Sequence, residues 1–161
     1  MAKIMVLDKR LKPQRPAVSW MVKVDVSRTI SAAQDRVFAL ISDFEKLPAQ
    51  FPNRYKSVRV VEKAGNTVTV EEDVTVAGRE AHQHTRHTVQ PNSLLRSEVL
   101  DGDAKGTVVE VRLAPDGAGT KVTVDADLRL GKLGAMLGMF AKGKVKEALD
   151  RMIVEFEVKA Q

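Results

Sequence analysis

Residues 55–130 constrain the fold more than any other part of the chain, because they read as strand after strand with no room for a helix between them. Residues 55–63 run into Gly65-Asn66, residues 67–77 into Gly78, and residues 80–90 into Pro91-Asn92. Residues 94–100 end at Asp101-Gly102-Asp103, residues 107–113 at Pro115-Asp116-Gly117, and residues 121–130 at Gly131. Short β-rich runs closed by Gly, Pro, Asn and Asp predict an antiparallel meander. Ahead of them, Val22, Val24, Val26 and Ile30 share one parity while Lys23, Asp25, Ser27 and Thr29 share the other. That alternation predicts a further strand with one covered face.

Two helical stretches flank this β region. Ser31 followed by Gln34 reads as a capping box, with Asp35 in the first turn where the helix dipole favours it. Ala33, Val37, Leu40, Ile41 and Phe44 then fall at helical spacing. A stop is predicted near Ser42, with Asp43 capping a second short helix through Phe44, Leu47 and Gln50 that Pro52 ends. At the other end, residues 132–160 carry one stripe of Leu133, Leu137, Phe140, Val145, Leu149, Met152 and Phe156. Lys142, Lys144, Lys146, Glu147 and Asp150 oppose it, so an amphipathic helix of roughly 40 Å is predicted. Only this helix is large enough to cover one face of the sheet, which makes the class α+β.

The order of elements, with the residues that carry it, resembles the START-like, or SRPBCC, superfamily of polyketide cyclase-like proteins and lipid carriers. The carriers are Arg28-Thr29-Ile30-Ser31-Ala32-Ala33, Val37-Phe38, Ser42-Asp43, Leu47-Pro48, Val76-Ala77-Gly78-Arg79 and Gly119-Thr120-Lys121-Val122-Thr123. Residues 47–53 and Gly131-Lys132-Leu133-Gly134 are similar to the branch of that superfamily associated with carbon monoxide dehydrogenase. The resemblance covers residue 22 to the C-terminus and implies a helix-grip fold. In that fold a curved antiparallel seven-stranded sheet wraps a long C-terminal helix, with two short helices between strands 1 and 2. It also implies an apolar cavity between sheet and helix for a lipid, isoprenoid quinone or polyketide-like molecule. No fixed catalytic set comes with it. The carbon monoxide dehydrogenase branch implies membrane recruitment and a protein partner.

Composition narrows the function further. The chain has no cysteine, so disulfides, thiolate metal sites and thiol nucleophiles are excluded. Of the net charge of +5, residues 1–20 carry +4 through Lys3, Lys9, Arg10, Lys12 and Arg15 against Asp8, leaving residues 21–161 nearly neutral. A basic extension (1–20) ahead of one domain (21–161) is therefore expected. It lacks the apolar run of a secretory signal, so a cytoplasmic location is expected, with peripheral membrane contact through the tail as an alternative. Aromatic residues are scarce at 4% and do not interleave with basic ones, which argues against a nucleic-acid partner. No phosphate-binding loop, dinucleotide fingerprint or serine nucleophile elbow occurs, and no cofactor is expected.

Candidate site residues are polar side chains that share parity with apolar ones. Glu72 sits among Val68, Val70, Val74 and Val76, while Gln83, Thr85 and His87 share parity with Ala81 and Val89. An inward Glu72 needs a partner, for which Arg28 or His87 would serve, and the two groups Glu72 and His87 would then be acid and base of a cyclase or dehydratase. The alternative is a one-residue bulge that turns Glu72 outward, or a place at the open end of the sheet. The expected ligand wall comprises Val70, Glu72, Val74, Gln83, Thr85, His87, Val109, Val111, Val124, Leu128, Met136, Phe140 and Met152. His82 and His84 point together to the other face and are expected to be a solvated pair. A metal there would need three or four ligands, and the sequence offers no evident third. Gly131, Gly134, Gly138 and Gly143 weaken the start of the last helix. Either that half opens to admit ligand past Met136 and Met139, or it is a kinked start to an ordinary core helix.

Overall fold

The computed structural model describes residues 21–76 and 78–161; the basic extension lies outside the described residues. Strands β1 (Met21–Ile30), β2 (Tyr55–Ala64), β3 (Thr67–Val76), β4 (Arg79–Gln90), β5 (Leu94–Val99), β6 (Val108–Asp116) and β7 (Gly119–Arg129) form one sheet. Its order is β1-β7-β6-β5-β4-β3-β2, antiparallel at every step. Strands β2 to β7 are the expected meander. β1 joins the far edge by pairing with β7, which puts Val24 opposite Ala126 and Val26 opposite Val124. The β1 alternation is realised: Val22, Val24 and Val26 are buried and Lys23, Asp25 and Ser27 exposed.

The two short helical elements lie between β1 and β2, as the spacing predicts: α1 (Gln34–Ser42), then a 3-10 turn (Phe44–Lys46) leading into α2 (Leu47–Gln50). Val37, Phe38, Ile41, Phe44 and Leu47 face the core. The capping box does not form. Ala33 occupies the cap position, and no side chain caps the helix. Ser31 instead gives its N–H and its hydroxyl to Glu157 Oε2, at 2.7 and 3.1 Å, so a contact to the last helix displaces the local one. Asp43 precedes the second helical stretch but makes no side-chain cap there either.

The C-terminal helix is interrupted near its start, as the kinked-start alternative has it, which shortens the roughly 40 Å helix expected from about residue 132. A short α3 (Gly131–Leu137) is followed by a 3-10 turn (Gly138–Phe140), and only then by α4 (Ala141–Lys159). The break is at Gly138, whose φ of 58° and ψ of −134° no helix contains. Helix α4 therefore spans about 28 Å rather than 40. Its inner stripe is Ala141, Ile153 and Phe156, buried, with Val145, Leu149 and Met152 half-buried. The helix packs chiefly along β1. Phe156 meets Phe51 edge to face at 5.9 Å, and Arg54 binds Glu155 at 2.7 Å. Arg28, considered above as a partner of Glu72, lies 3.8 Å from Asp150 of this helix instead.

Ile153 is fully buried at the centre of this packing. Ile153→Ala should cost about 2–5 kcal/mol in chemical denaturation, because the cavity left behind cannot fully collapse. Val158→Ala, at a position 70% exposed on the same helix, should change stability by less than about 0.5 kcal/mol.

Candidate functional site

The site is written by the register of one hairpin. Across β3 and β4, Glu72 faces Gln83, Val70 faces Thr85, and Val68 faces His87. All six side chains are buried, so they share the concave face of the sheet. The rows continue into β5, where Thr85 meets Val99 and His87 meets Ser97, and on to Val109 and Ala126. Of the expected wall, Val70, Val74, Val111 and Val124 are buried, and Val109, Leu128 and Met152 half-buried. Met136 and Phe140 do not belong to it. They are 57% and 68% exposed: Phe140 lies about 150° round the helix from the stripe of Val145, Leu149, Met152 and Phe156, and Met136 precedes the break at Gly138.

Glu72 points inward. The register slips that would have turned a residue outward lie in β2, between Tyr55 and Ser57 and between Val60 and Glu62, while the β3–β4 ladder is unbroken. Its partners are neither Arg28 nor His87. Thr85 Oγ1 donates to Glu72 Oε1 at 2.7 Å and Gln83 Nε2 donates to the same oxygen at 3.0 Å. Two donors offset part of the cost of holding a carboxylate out of water. Among the described residues Oε2 receives no side-chain donor. Tyr55, next to this group, has its hydroxyl pKa pushed up to about 12, first by burial and then by the charge of Glu72.

His87 is 6% exposed and lies flat against Phe44, with ring centroids 4.1 Å apart and planes 10° from parallel. Its Nδ1 is 2.7 Å from Ser97 Oγ, and its buried Nε2 has no partner among the described residues. Burial pushes its pKa down to about 4, which keeps the imidazole neutral. Gln83, opposite Glu72, precedes His87 by four residues on one strand, a separation of about 13 Å. The two groups are thus separate polar points on one apolar wall rather than an acid–base pair closing on one atom. Phe44, Tyr55, Val68, Ser97 and Val99 also belong to this wall, and the sequence reading did not include them in it. Counting outward along both strands from the turn Val76-Ala77-Gly78-Arg79, with Val76 opposite Arg79, would have paired Val68 with His87.

His82 and His84 lie on the outer face, as expected, at 57% and 34% side-chain exposure. They are not bare, however. Asp73 is 2.7 Å from His82 Nδ1, Asp101 is 2.8 Å from His84 Nδ1, and Glu71 approaches both rings at 3.3 and 3.7 Å. The same register supplies two of these carboxylates, since Glu71 faces His84 and Asp73 faces His82, and Asp101 comes from the loop after β5. Among the described residues no group of three or more His, Cys, Asp or Glu side chains is arranged to hold a metal. Two surface recesses, of about 360 and 270 Å³, lie away from the wall, one against α1 and the C-terminus beside Arg36 and Lys159, the other beside Arg28 and Asp150.

The buried imidazole has a pH signature. Unfolded His87 takes up a proton below its ordinary value of 6.5, whereas the folded ring resists until about 4. The stability that the neutral ring confers is therefore complete above pH 6.5 and is lost as the pH falls towards 4, by at most about 3 kcal/mol. His82, raised by its Asp73 hydrogen bond, acts oppositely: its contribution is present below 6.5 and lost as the pH rises through its folded value. The lowered carboxylates Glu71, Asp73 and Asp101 act only towards the acid end of the window. His87→Leu should flatten the fall in unfolding free energy between pH 6.5 and 4, measured by urea denaturation.

Solved structures share this architecture at low sequence identity. A Thermus thermophilus protein superposes with a TM-score of 0.72 at 20% identity, over 86% of this chain and 96% of its own. A START superfamily protein from Mycobacterium smegmatis gives 0.71 at 18% identity, over 86% and 96%. The Streptomyces aromatase/cyclase Zhui gives 0.60 at 21% identity, over 67% of each chain. These likenesses establish the helix-grip fold. No curated protein matches the chain. The matching family description does not single out the carbon monoxide dehydrogenase branch. Because that match runs over residues 21–157, from the first strand to the end of α4, the chain belongs to the polyketide cyclase / dehydrase and lipid transport family.

Proposed function

We propose that this protein binds a largely apolar small molecule, of the lipid, isoprenoid quinone or polyketide-like kind, on the concave face of its sheet, as a carrier rather than a catalyst. The observation that carries this reading is His87 Nε2, a deeply buried polar atom without a partner in an apolar wall. Such an atom costs about 1–3 kcal/mol while it is unbonded, and a ligand hydroxyl or carbonyl placed there recovers it. Glu72 Oε2 offers a second acceptor at the other end of the wall. Apolar contact with Val70, Val74, Val111 and Val124 would supply most of the affinity, at about 25 cal/mol per Å² buried, and the two polar points would fix orientation.

The family description and the aromatase/cyclase among the similar structures support the same chemistry of ligand. A cyclase mechanism using Glu72 and His87 together is less well supported. It requires a substrate that reaches across about 13 Å between them, and nothing brings both to one reacting atom. The wall is covered in this state, with Phe44 over His87, so the ligand enters when a covering element moves. The short turn that carries Phe44 is the candidate.

Native mass spectrometry of the purified protein, followed by organic extraction, tests the reading. A quinone, lipid or polyketide-like molecule released at near-stoichiometric amount is the expected result. An apo mass, together with no thermal shift on adding any of the three classes, would remove it. With a ligand in hand, His87→Leu should weaken binding about tenfold, the loss of one hydrogen bond, and leave binding of the analogue lacking the hydroxyl or carbonyl unchanged.

A further inference from the structure

The broken segment before α4 presents an apolar and basic surface that the ligand wall does not use. Met136, Met139 and Phe140 are 57%, 89% and 68% exposed, three large apolar side chains within five residues. Exposed apolar residues scattered singly are ordinary, but a cluster at the break of a helix is not. The cluster straddles the break at Gly138. Gly138 takes a left-handed φ of 58° with nothing within 4 Å of the place where a Cβ would be, so the turn it makes projects into open space. Lys132, Lys142, Lys144 and Lys146 flank the cluster in sequence, all exposed, and no acidic residue falls between Gly131 and Lys146. Asp103, which meets the start of the segment, is engaged by the Lys132 backbone N–H at 3.2 Å. No helix among the described residues is long and apolar enough to cross a membrane, so whatever this surface meets, it meets from one side.

We infer that residues 131–146 dock this protein onto an anionic lipid surface. Met139 and Phe140 enter the interface between headgroups and acyl chains, and the four lysines hold the negative headgroups around them. The chemistry is complementary on both counts. Exposed apolar side chains with ammonium groups on either side in the chain match a surface that is apolar beneath and negative above. A protein partner of matching shape or a second copy of the chain would find the same apolar cluster, but four lysines with no acidic residue among them favour the lipid. The inference does not rest on the ligand-binding reading, since none of its residues lines that wall.

Cosedimentation of the full-length protein with vesicles of phosphatidylcholine and phosphatidylserine, against phosphatidylcholine alone, provides the test. Binding is expected to the mixed vesicles, weakening as salt is raised. Met139→Ser with Phe140→Ser should reduce it by roughly tenfold or more. Lys142→Glu with Lys144→Glu should reduce it by roughly fivefold or more for each lysine replaced. Val158→Ser, at a similarly exposed apolar position away from the cluster, should leave it unchanged. All these positions are exposed, so the melting temperature serves as a check that each variant is folded. Equal binding to neutral vesicles overturns the inference, as does undiminished binding of the Met139/Phe140 variant, which would place the contact elsewhere, as on residues 1–20. A concentration-dependent dimer that this variant dissolves, with no vesicle binding by the parent protein, would overturn it in favour of self-association.

Discussion

The pairing of β1 with β7 is the interaction on which the rest of the molecule depends. It joins segments about a hundred residues apart in sequence, and it fixes the starting point of both helical layers, because α1 follows β1 and the C-terminal helices follow β7. The junction is built to close tolerance. Thr120, fully buried at the start of β7, donates its hydroxyl to Ala32 O at 2.6 Å, just past the end of β1. Beside it Gly119 passes so near the strand that a Cβ would lie 2.2 Å from Ile30 O. A side chain at that position would push apart the two strands that carry the helices. The contact of Ser31 with Glu157 belongs to the same junction, and it explains why Ser31 is not free to cap α1. Long-range closure outweighs a local capping preference of about 1 kcal/mol.

Once that closure is made, the concave face is set by hairpins alone, and its polar members stand out against the rule that governs its neighbours. Val, Leu and Ala fill this face from β1 round to β3, while the β3–β4–β5 rows insert Glu72, Gln83, Thr85, His87 and Ser97. Glu72 is satisfied on one oxygen by two donors from β4, which gives Gln83 and Thr85 a structural role of their own. His87 is satisfied on one nitrogen only. A core optimised for stability would place leucine or valine at these positions, since a half-satisfied polar group is worse than none. Local breaches of packing logic of this kind belong to sites that do something besides hold the fold together.

Much of this was legible in the sequence, and the reasons for the exceptions are physical. Period-two alternation and turn residues marked all seven strands to within a few residues, because each strand buries one face and each hairpin needs its Gly or Asn. Parity alone placed Glu72, Gln83, Thr85 and His87 on the inner face. The carboxylates around His82 and His84 were missed because cross-strand neighbours follow from register, which parity within one strand does not contain. The fate of Met136 and Phe140 was missed for another reason. The stripe drawn from Leu133 to Phe156 slips phase between Phe140 and Val145, because five residues turn a helix by about 140°, and Met136 lies ahead of the break at Gly138.

The exposed cluster near the start of the last helix is a matter of helical phase. Even on a continuous helix, at about 100° per residue, Met136 and Phe140 would lie roughly 150–170° from the stripe of Val145, Leu149, Met152 and Phe156, so they face away from the sheet in either arrangement. Leaving such side chains in water forgoes roughly 1.5–3 kcal/mol for each. The break leaves two short helical pieces, Gly131–Leu137 and Gly138–Phe140, between β7 and α4. Gly138 holds them apart with a left-handed φ of 58°, which a residue with a side chain adopts only under strain, so this one turn, rather than any packing contact, interrupts the helix.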